Sequence, residues 1–322
     1  MSNNTTEDDY NSFSEQQKMD TYLNVIRMQY IIGYIIICTL GLALNFFVII
    51  AGSCYCCKSD TAKWVLALAV THLIFSAFLP LQILYSWYHF NWHYGRLLCK
   101  LSSYVVYVSL FSTAGILTLW SVNDMKTRTK CKGKLCTSRQ HSLVLIMILC
   151  SWTFAAFVSI PSLFSRKLRY TELGEQCVDD FDYDVDKMTK DSMRKLTTLV
   201  CFRFLLGILF PAFLIGTYCC CQGSDKERIL RRIKCSIKLA YFVCWTPVLT
   251  MAFLQAVTNI FNDSLWYALP IATALAAAHC CVNPIIYLLV SQDIKMQWMK
   301  QSQGLAQSPT ELPLIHERLV AR

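Results

Sequence analysis

Few side chains in this sequence could do chemistry, and most of them sit where charge is costly. Arg203 heads a run, residues 204–224, that holds no Asp, Glu, Lys or Arg. A guanidinium so placed must face a wet cavity or an anion, or else snorkel to an interface. Asn123-Asp124-Met125 puts a carboxylate at the end of another uncharged run, residues 101–123. His72 and His279 lie inside long uncharged runs of their own and lack a carboxylate partner. They would form a satisfied polar cluster or a proton-sensitive one. Two acidic tracts hold tyrosines, Glu7-Asp8-Asp9-Tyr10 and Asp179-Asp180-Phe181-Asp182-Tyr183-Asp184. They read as solvated loops or as sulfation sites that would draw a basic surface. No Ser–His arrangement and no His-Glu-x-x-His appears, so catalysis is not expected. What these residues offer is recognition of charge.

The elements that must position them are long and apolar. The chain has 322 residues, 55% hydrophobic and only 16% charged. Length alone suggests two soluble domains, but seven intervals carry no formal charge: 28–57, 64–95, 101–123, 140–165, 204–224, 239–262 and 264–292. Each can cross a hydrocarbon core of roughly 30 Å as a helix, which takes about 20 apolar residues. A soluble fold would need seven helices with almost no wet face. The sequence therefore predicts an all-α membrane protein, a seven-transmembrane helix bundle over residues 28–290. An acidic N-terminal segment, 1–27, precedes it; a short amphipathic cytosolic helix and tail, 291–322, follow. Six prolines (Pro80, Pro161, Pro211, Pro247, Pro270, Pro284) fall inside the intervals. A bundle tolerates them because neighbouring helices can satisfy the freed carbonyls.

The net charge of +9 is a topology signal and not a nucleic-acid footprint. Basic residues crowd 126–139 and 226–238, whereas bases and acids balance between the fourth and fifth runs. The positive-inside bias puts both basic segments in the cytosol and the N-terminus outside, with no cleavable signal peptide expected. The glycosylation triplets at Asn3, Asn4 and Asn262 fall on the same outer side.

Of 17 cysteines, only Cys99 and Cys177 lie in predicted extracellular positions, where oxidising conditions favour a disulfide. Cys54, Cys56, Cys57, Cys219, Cys220 and Cys221 sit at cytosolic helix ends. They lack a partnered histidine and a usual zinc spacing, so no metal or other cofactor is expected. Juxtamembrane thiols or acylation sites are the simpler reading.

Asn45, Trp92 and Gly95 before Cys99, Trp152, Pro211, Cys244-Trp245-Thr246-Pro247 and Asn283-Pro284-Ile285-Ile286-Tyr287 follow one another, about one motif per span. In this order they resemble rhodopsin-like G-protein-coupled receptors, over about residues 28 to 300. Arg203-Phe204-Leu205-Leu206-Gly207, Gln176-Cys177-Val178-Asp179-Asp180 and Cys280-Cys281-Val282-Asn283 are most similar to the chemoattractant branch: complement anaphylatoxin, formyl-peptide and chemerin receptors. The resemblance implies a plasma-membrane receptor for an extracellular peptide or small basic protein, coupled to a heterotrimeric G protein (Gi-type) and to arrestin. It implies roles in chemotaxis and inflammation. It implies that Arg203 receives an anionic ligand group, with Trp245 below as a packing switch beside Tyr241 and Pro247. Arg166, Lys167 and Arg169, at the outer end of the fourth run, read as an extension of that cationic site or, more simply, as ordinary solvated loop charges. Asn283, Pro284 and Tyr287 would form a second switch.

Three departures stand beside the matches. Where the family carries an acid, an arginine and an aromatic, this chain has Asn123, Asp124 and Met125, and a carboxylate cannot donate the arginine's hydrogen bonds. His72 replaces the intramembrane aspartate of the second span, and an imidazole cannot hold sodium as a carboxylate does. His279 replaces a smaller polar residue and would meet His72 and Asn283 in a core polar cluster with Asn45. Tyr218 falls one residue short of the expected tyrosine beyond Pro211, and Ser302, Ser308 and Thr310 leave the tail few phosphorylatable positions. Asp124 thus opens an alternative: a decoy receptor that binds ligand and couples weakly. A transporter or channel would want an internal repeat, and none is visible.

Overall fold

The computed structural model describes residues 4–53, 60–130, 134–171, 174–182, 189–219, 228–258, 268–287 and 289. Within these, side chains are placed at 17, 21, 24–53, 60–125, 142–170, 174–182, 189–217, 231–258, 268–287 and 289. Asn3, Asn262, residues 291–322 and the side chains of Asn4, Cys54, Cys56, Cys57, Tyr218, Cys219, Cys220 and Cys221 lie outside the described residues.

Seven helices are long and apolar enough to cross a membrane: Asn24–Ser53, Asp60–Trp87, Gly95–Met125, Ser142–Ser165, Lys190–Thr217, Arg231–Thr258 and Ala268–Tyr287. We number them spans one to seven. Apolar residues also cover the outward faces of the spans, so large side chains such as Phe46, Phe157, Phe213 and Ile271 remain exposed. That is the pattern of helices whose surroundings are themselves apolar. Span three is the axle. Of its most apolar window 61% is buried, against 17% for span one, and it touches spans two, four, five and six. Around its inner half Leu110, Ile116, Leu117 and Trp120 pack with Trp64, Val144, Ile237 and Tyr241, all nearly inaccessible.

The prolines explain several cross-bundle contacts. A helical proline lacks the N–H that would bond the carbonyl four residues back. Pro80 frees the carbonyl of Ser76, and the Cys38 thiol donates to it at 3.6 Å. Pro284 frees that of Cys280, which accepts from Asn45 Nδ2 at 2.8 Å. Pro211 frees that of Gly207, which accepts from the Tyr241 hydroxyl at 2.5 Å. The last lies in a π-helical turn, Leu205–Leu209, that interrupts span five. In each case a side chain from another span supplies the missing donor, as lipid cannot.

One element escaped the sequence reading. Residues Arg166–Thr171 (β1) and Gly174–Asp179 (β2) pair antiparallel in the segment between spans four and five, with Leu168 opposite Cys177. Cys177 is disulfide-bonded to Cys99 near the start of span three. Trp92 N–H donates to Glu175 O at 2.6 Å, and Glu175 N–H to Asn91 Oδ1 at 2.9 Å. Gly174 has φ +100°, and a Cβ there would lie 2.7 Å from Asn91 Cγ, so only glycine fits the turn.

Candidate functional site

At the hairpin end, spans one, two, three, six and seven leave a cavity of about 280 Å³. Its wall is mostly aromatic and hydroxylic: Tyr30, Tyr34, Tyr85, Trp92 and Tyr107, with Ser102, Ser103, Gln82 and Thr273. Trp245 closes the floor with Val248, Leu249 and Phe75, and Cys177 with Arg166 contributes the hairpin side. The tether from Cys99 to Cys177 therefore holds the hairpin as one wall of the cavity. A preformed concave site with a few polar groups is the usual form of a ligand pocket.

Two arginines belong to this region, in different ways. Arg166 lines the cavity. Its Nε donates to Ser103 Oγ at 2.9 Å and lies 3.3 Å from Asp179 Oδ1; Nη1 donates to Cys177 O at 2.8 Å. Arg203 lies behind the wall, 4% exposed, and does not line the cavity. Its Nη1 donates to Asp179 Oδ2 at 2.7 Å and its Nη2 to Ser162 Oγ at 3.1 Å. The guanidinium sits over the Tyr107 ring, 3.7 Å from the centroid. So the anion that Arg203 faces is part of the same chain, and neither an open cavity nor the interface takes its charge. Burial opposes charge on Asp179, yet Arg166 and Arg203, with a hydrogen bond from Ser165, hold its carboxyl well below the usual range.

The rest of the hairpin is equally paired. Arg169 meets Asp180, and Lys167 donates to the carbonyl of Asp182 at 2.6 Å. Asp182 in turn accepts from the backbone and hydroxyl of Thr189, which caps span five. Those hydrogen bonds lower its carboxyl too. Lys167 and Arg169 are therefore tied into the hairpin and are not free solvated charges. Asp179, the residue that organises both arginines, appears in sequence only as part of an acidic tract. The balance of bases and acids between the fourth and fifth runs was the signal available.

At the other end of the bundle Asp124 is not isolated. Lys234 of span six donates to both of its oxygens, each at 2.9 Å, and lies 5.6 Å from the Trp120 ring centroid. Asn123 is buried beside it. Lys234 lies 11 residues before Trp245, about three helical turns along the same span.

Between the two ends runs the polar core. The rings of His72 and His279 meet edge to face at 4.9 Å, and His279 meets Tyr241 at 5.6 Å. His72 Nε2 and Thr113 Oγ1 are 3.4 Å apart. The cluster is not satisfied by its own members. Among the described residues His72 Nδ1, His279 Nε2, both polar atoms of Asn283, Tyr287 Oη and Trp245 Nε1 have no partner. Asn45 is placed differently, bonded to the carbonyls of Gly41 and Cys280.

Residues 44–287 match the family model of the seven-transmembrane receptor (rhodopsin family). The chain is similar to chemerin-like receptor 1 of Homo sapiens, 29% identical over 293 residues, covering 84% of this chain and 77% of that protein. It is similar to chemerin-like receptor 1 of Sus scrofa, 27% identical, at 84% and 79% coverage. Chemerin-like receptor 2 of Rattus norvegicus is 27% identical over 301 residues, at 90% and 83%.

Proposed function

This chain belongs to the rhodopsin family of seven-transmembrane receptors, and from that premise we propose that it is a chemoattractant receptor for an extracellular peptide or small basic protein. Members of this family are multi-pass plasma-membrane receptors and not enzymes. In this reading the hairpin end and the N-terminus face outward, with Asn3, Asn4 and Asn262 available to glycans. The end of the ligand enters the cavity above Trp245 while its body meets the acidic tracts around Tyr10 and Tyr183. Binding shifts the population toward a state whose cytosolic face, near Asp124, Met125 and the basic segments, engages a heterotrimeric G protein. We assign the Gi type, with arrestin as a further partner. Chemerin is the first ligand to try, since the relatives bear its name. The observation that carries the reading is the aromatic cavity walled by the tethered hairpin and floored by Trp245.

The experiment is a labelled panel of chemoattractant peptides and proteins, chemerin included, on cells expressing wild type, Arg166→Gln or Arg203→Ala. Saturable binding to wild type, weakened at least tenfold by either substitution, is expected. Saturable binding that neither substitution alters would remove the cavity from the account.

Asp124 favours a second reading, a decoy that binds and scavenges ligand without coupling. It lacks the donors through which the family's arginine contacts the G protein. Ligand-stimulated nucleotide exchange separates the two, and robust exchange would falsify the decoy.

A further inference from the structure

Asp179 meets both guanidinium groups beside the cavity: Arg203 through a hydrogen bond of 2.7 Å and Arg166 at 3.3 Å. Its oxygens also accept from Ser165 Oγ at 2.6 Å and Arg203 Nη2 at 3.4 Å. We propose that Asp179 is a resident counter-anion that sets which group the cavity accepts: an uncharged hydrogen-bonding end, such as a carboxamide or an alcohol, in preference to a carboxylate. The proposal rests on the reading that this cavity is the ligand site.

The charges decide the matter. Two guanidinium groups and one carboxylate leave a single net positive charge, and that charge is not free. Arg166 spends Nε on Ser103 and Nη1 on the Cys177 carbonyl, with Asp179 beside them. Arg203 is withdrawn behind Tyr107, its Nη atoms spent on Asp179 and Ser162. An entering carboxylate would shed its hydration in an aromatic chamber and find each cation already facing an anion. It would also feel the like charge of Asp179 just behind the wall. A neutral amide costs far less to desolvate and can bond to Gln82, Ser102 and Thr273, which line the chamber. Removing the charge of Asp179 reverses the balance: two guanidinium groups would then lack an anion, and a carboxylate from outside is the group that fits them.

Two fragments of one shape test this, N-acetyl-phenylalanine and N-acetyl-phenylalaninamide, with the full chain in lipid nanodiscs and ligand-observed NMR as the readout. They differ only in the charge of one end and report on the chamber whatever the natural ligand is. Failure of the chemoattractant panel would therefore count against the receptor reading and leave this result standing. Wild type should bind the amide at least as tightly as the acid. Asp179→Asn, which keeps the shape, should favour the acid at least tenfold. The double variant Asp179→Asn with Arg166→Gln also removes the cation that lines the cavity and should lose that acid preference. A wild type that already favours the acid tenfold, an unchanged ratio in Asp179→Asn, or no binding of either fragment to any of the three proteins overturns the proposal.

Discussion

Lys234 on span six donates to both carboxylate oxygens of Asp124 on span three, each at 2.9 Å. The pair ties the two spans together beside Trp120, far from the cavity, with only 10% and 17% of the side chains exposed. Read along the sequence, Asp124 is the loss of a cation. In the folded chain span six supplies the cation instead, so an ion pair joins the two spans with its charges reversed from a cation on span three.

A reversed tie should behave as a pair. Asp124→Asn or Lys234→Met should each cost about 1–3 kcal/mol, because each leaves a largely buried charge without its partner. The exchange Asp124→Lys with Lys234→Asp should recover more than half of that loss. Melting of the purified receptor gives the stabilities, and spin labels at the ends of spans three and six give the separation. An exchanged protein no better than the sum of the single variants would show that the two residues are uncoupled.

Tyr241 and Gly207 should be coupled through the carbonyl that Pro211 leaves free. Tyr241→Phe keeps the ring and removes the donor, so it should cost about 1–3 kcal/mol for an unsatisfied buried carbonyl. Gly207→Ala acts by crowding: its Cβ would meet Leu249 at 3.2 Å and Leu110 at 3.3 Å. Thermal melting should fall in both, and in Gly207→Ala the aromatic contacts of span six should shift as well.

The other two proline sites make an ordered series. Asn45 gives an amide hydrogen bond to the Cys280 carbonyl, whereas Cys38 gives only a thiol to that of Ser76. A thiol is a weak donor. Asn45→Ala should therefore lower the melting temperature clearly more than Cys38→Ala. Equal effects would mean that packing, and not the freed carbonyl, decides both sites.

The hairpin should lose stability in acid and not near neutrality. The carboxyl of Asp179 is held below its unfolded value, so the folded state is favoured while the unfolded chain would still be deprotonated at no gain. That stabilisation is complete above about pH 4, the ordinary carboxylate range, and fades as pH falls further. Asp182 contributes with the same sign. The difference in melting temperature between wild type and Asp179→Asn should stay constant from pH 8 to pH 5 and shrink below about pH 4. A difference that shrinks instead between pH 6 and pH 8 would assign the effect to another group.

The seven spans, the two cysteines of the tether and the family are legible without the fold, because each is written in local terms. An uncharged run of sufficient length has one stable form in lipid, and the motifs recur one to a span. The sequence also placed Asn45, Arg203 and the two histidines in the bundle, since a polar group in such a run must face inward. What it could not supply was the partner of each. Arg203 finds Asp179, 24 residues upstream; Asp124 finds Lys234, 110 residues downstream; Tyr241 finds a carbonyl freed by Pro211. The His72 and His279 rings meet edge to face, yet His72 Nδ1 and His279 Nε2 have no partner among the described residues. The hairpin was missed for the same reason, since its strands are short, charged and held by Asn91, Trp92 and Cys99 from elsewhere in the chain. Charge balance depends on distance in space. Only the packing of the spans around span three decided which arginine lines the cavity and which is already neutralised.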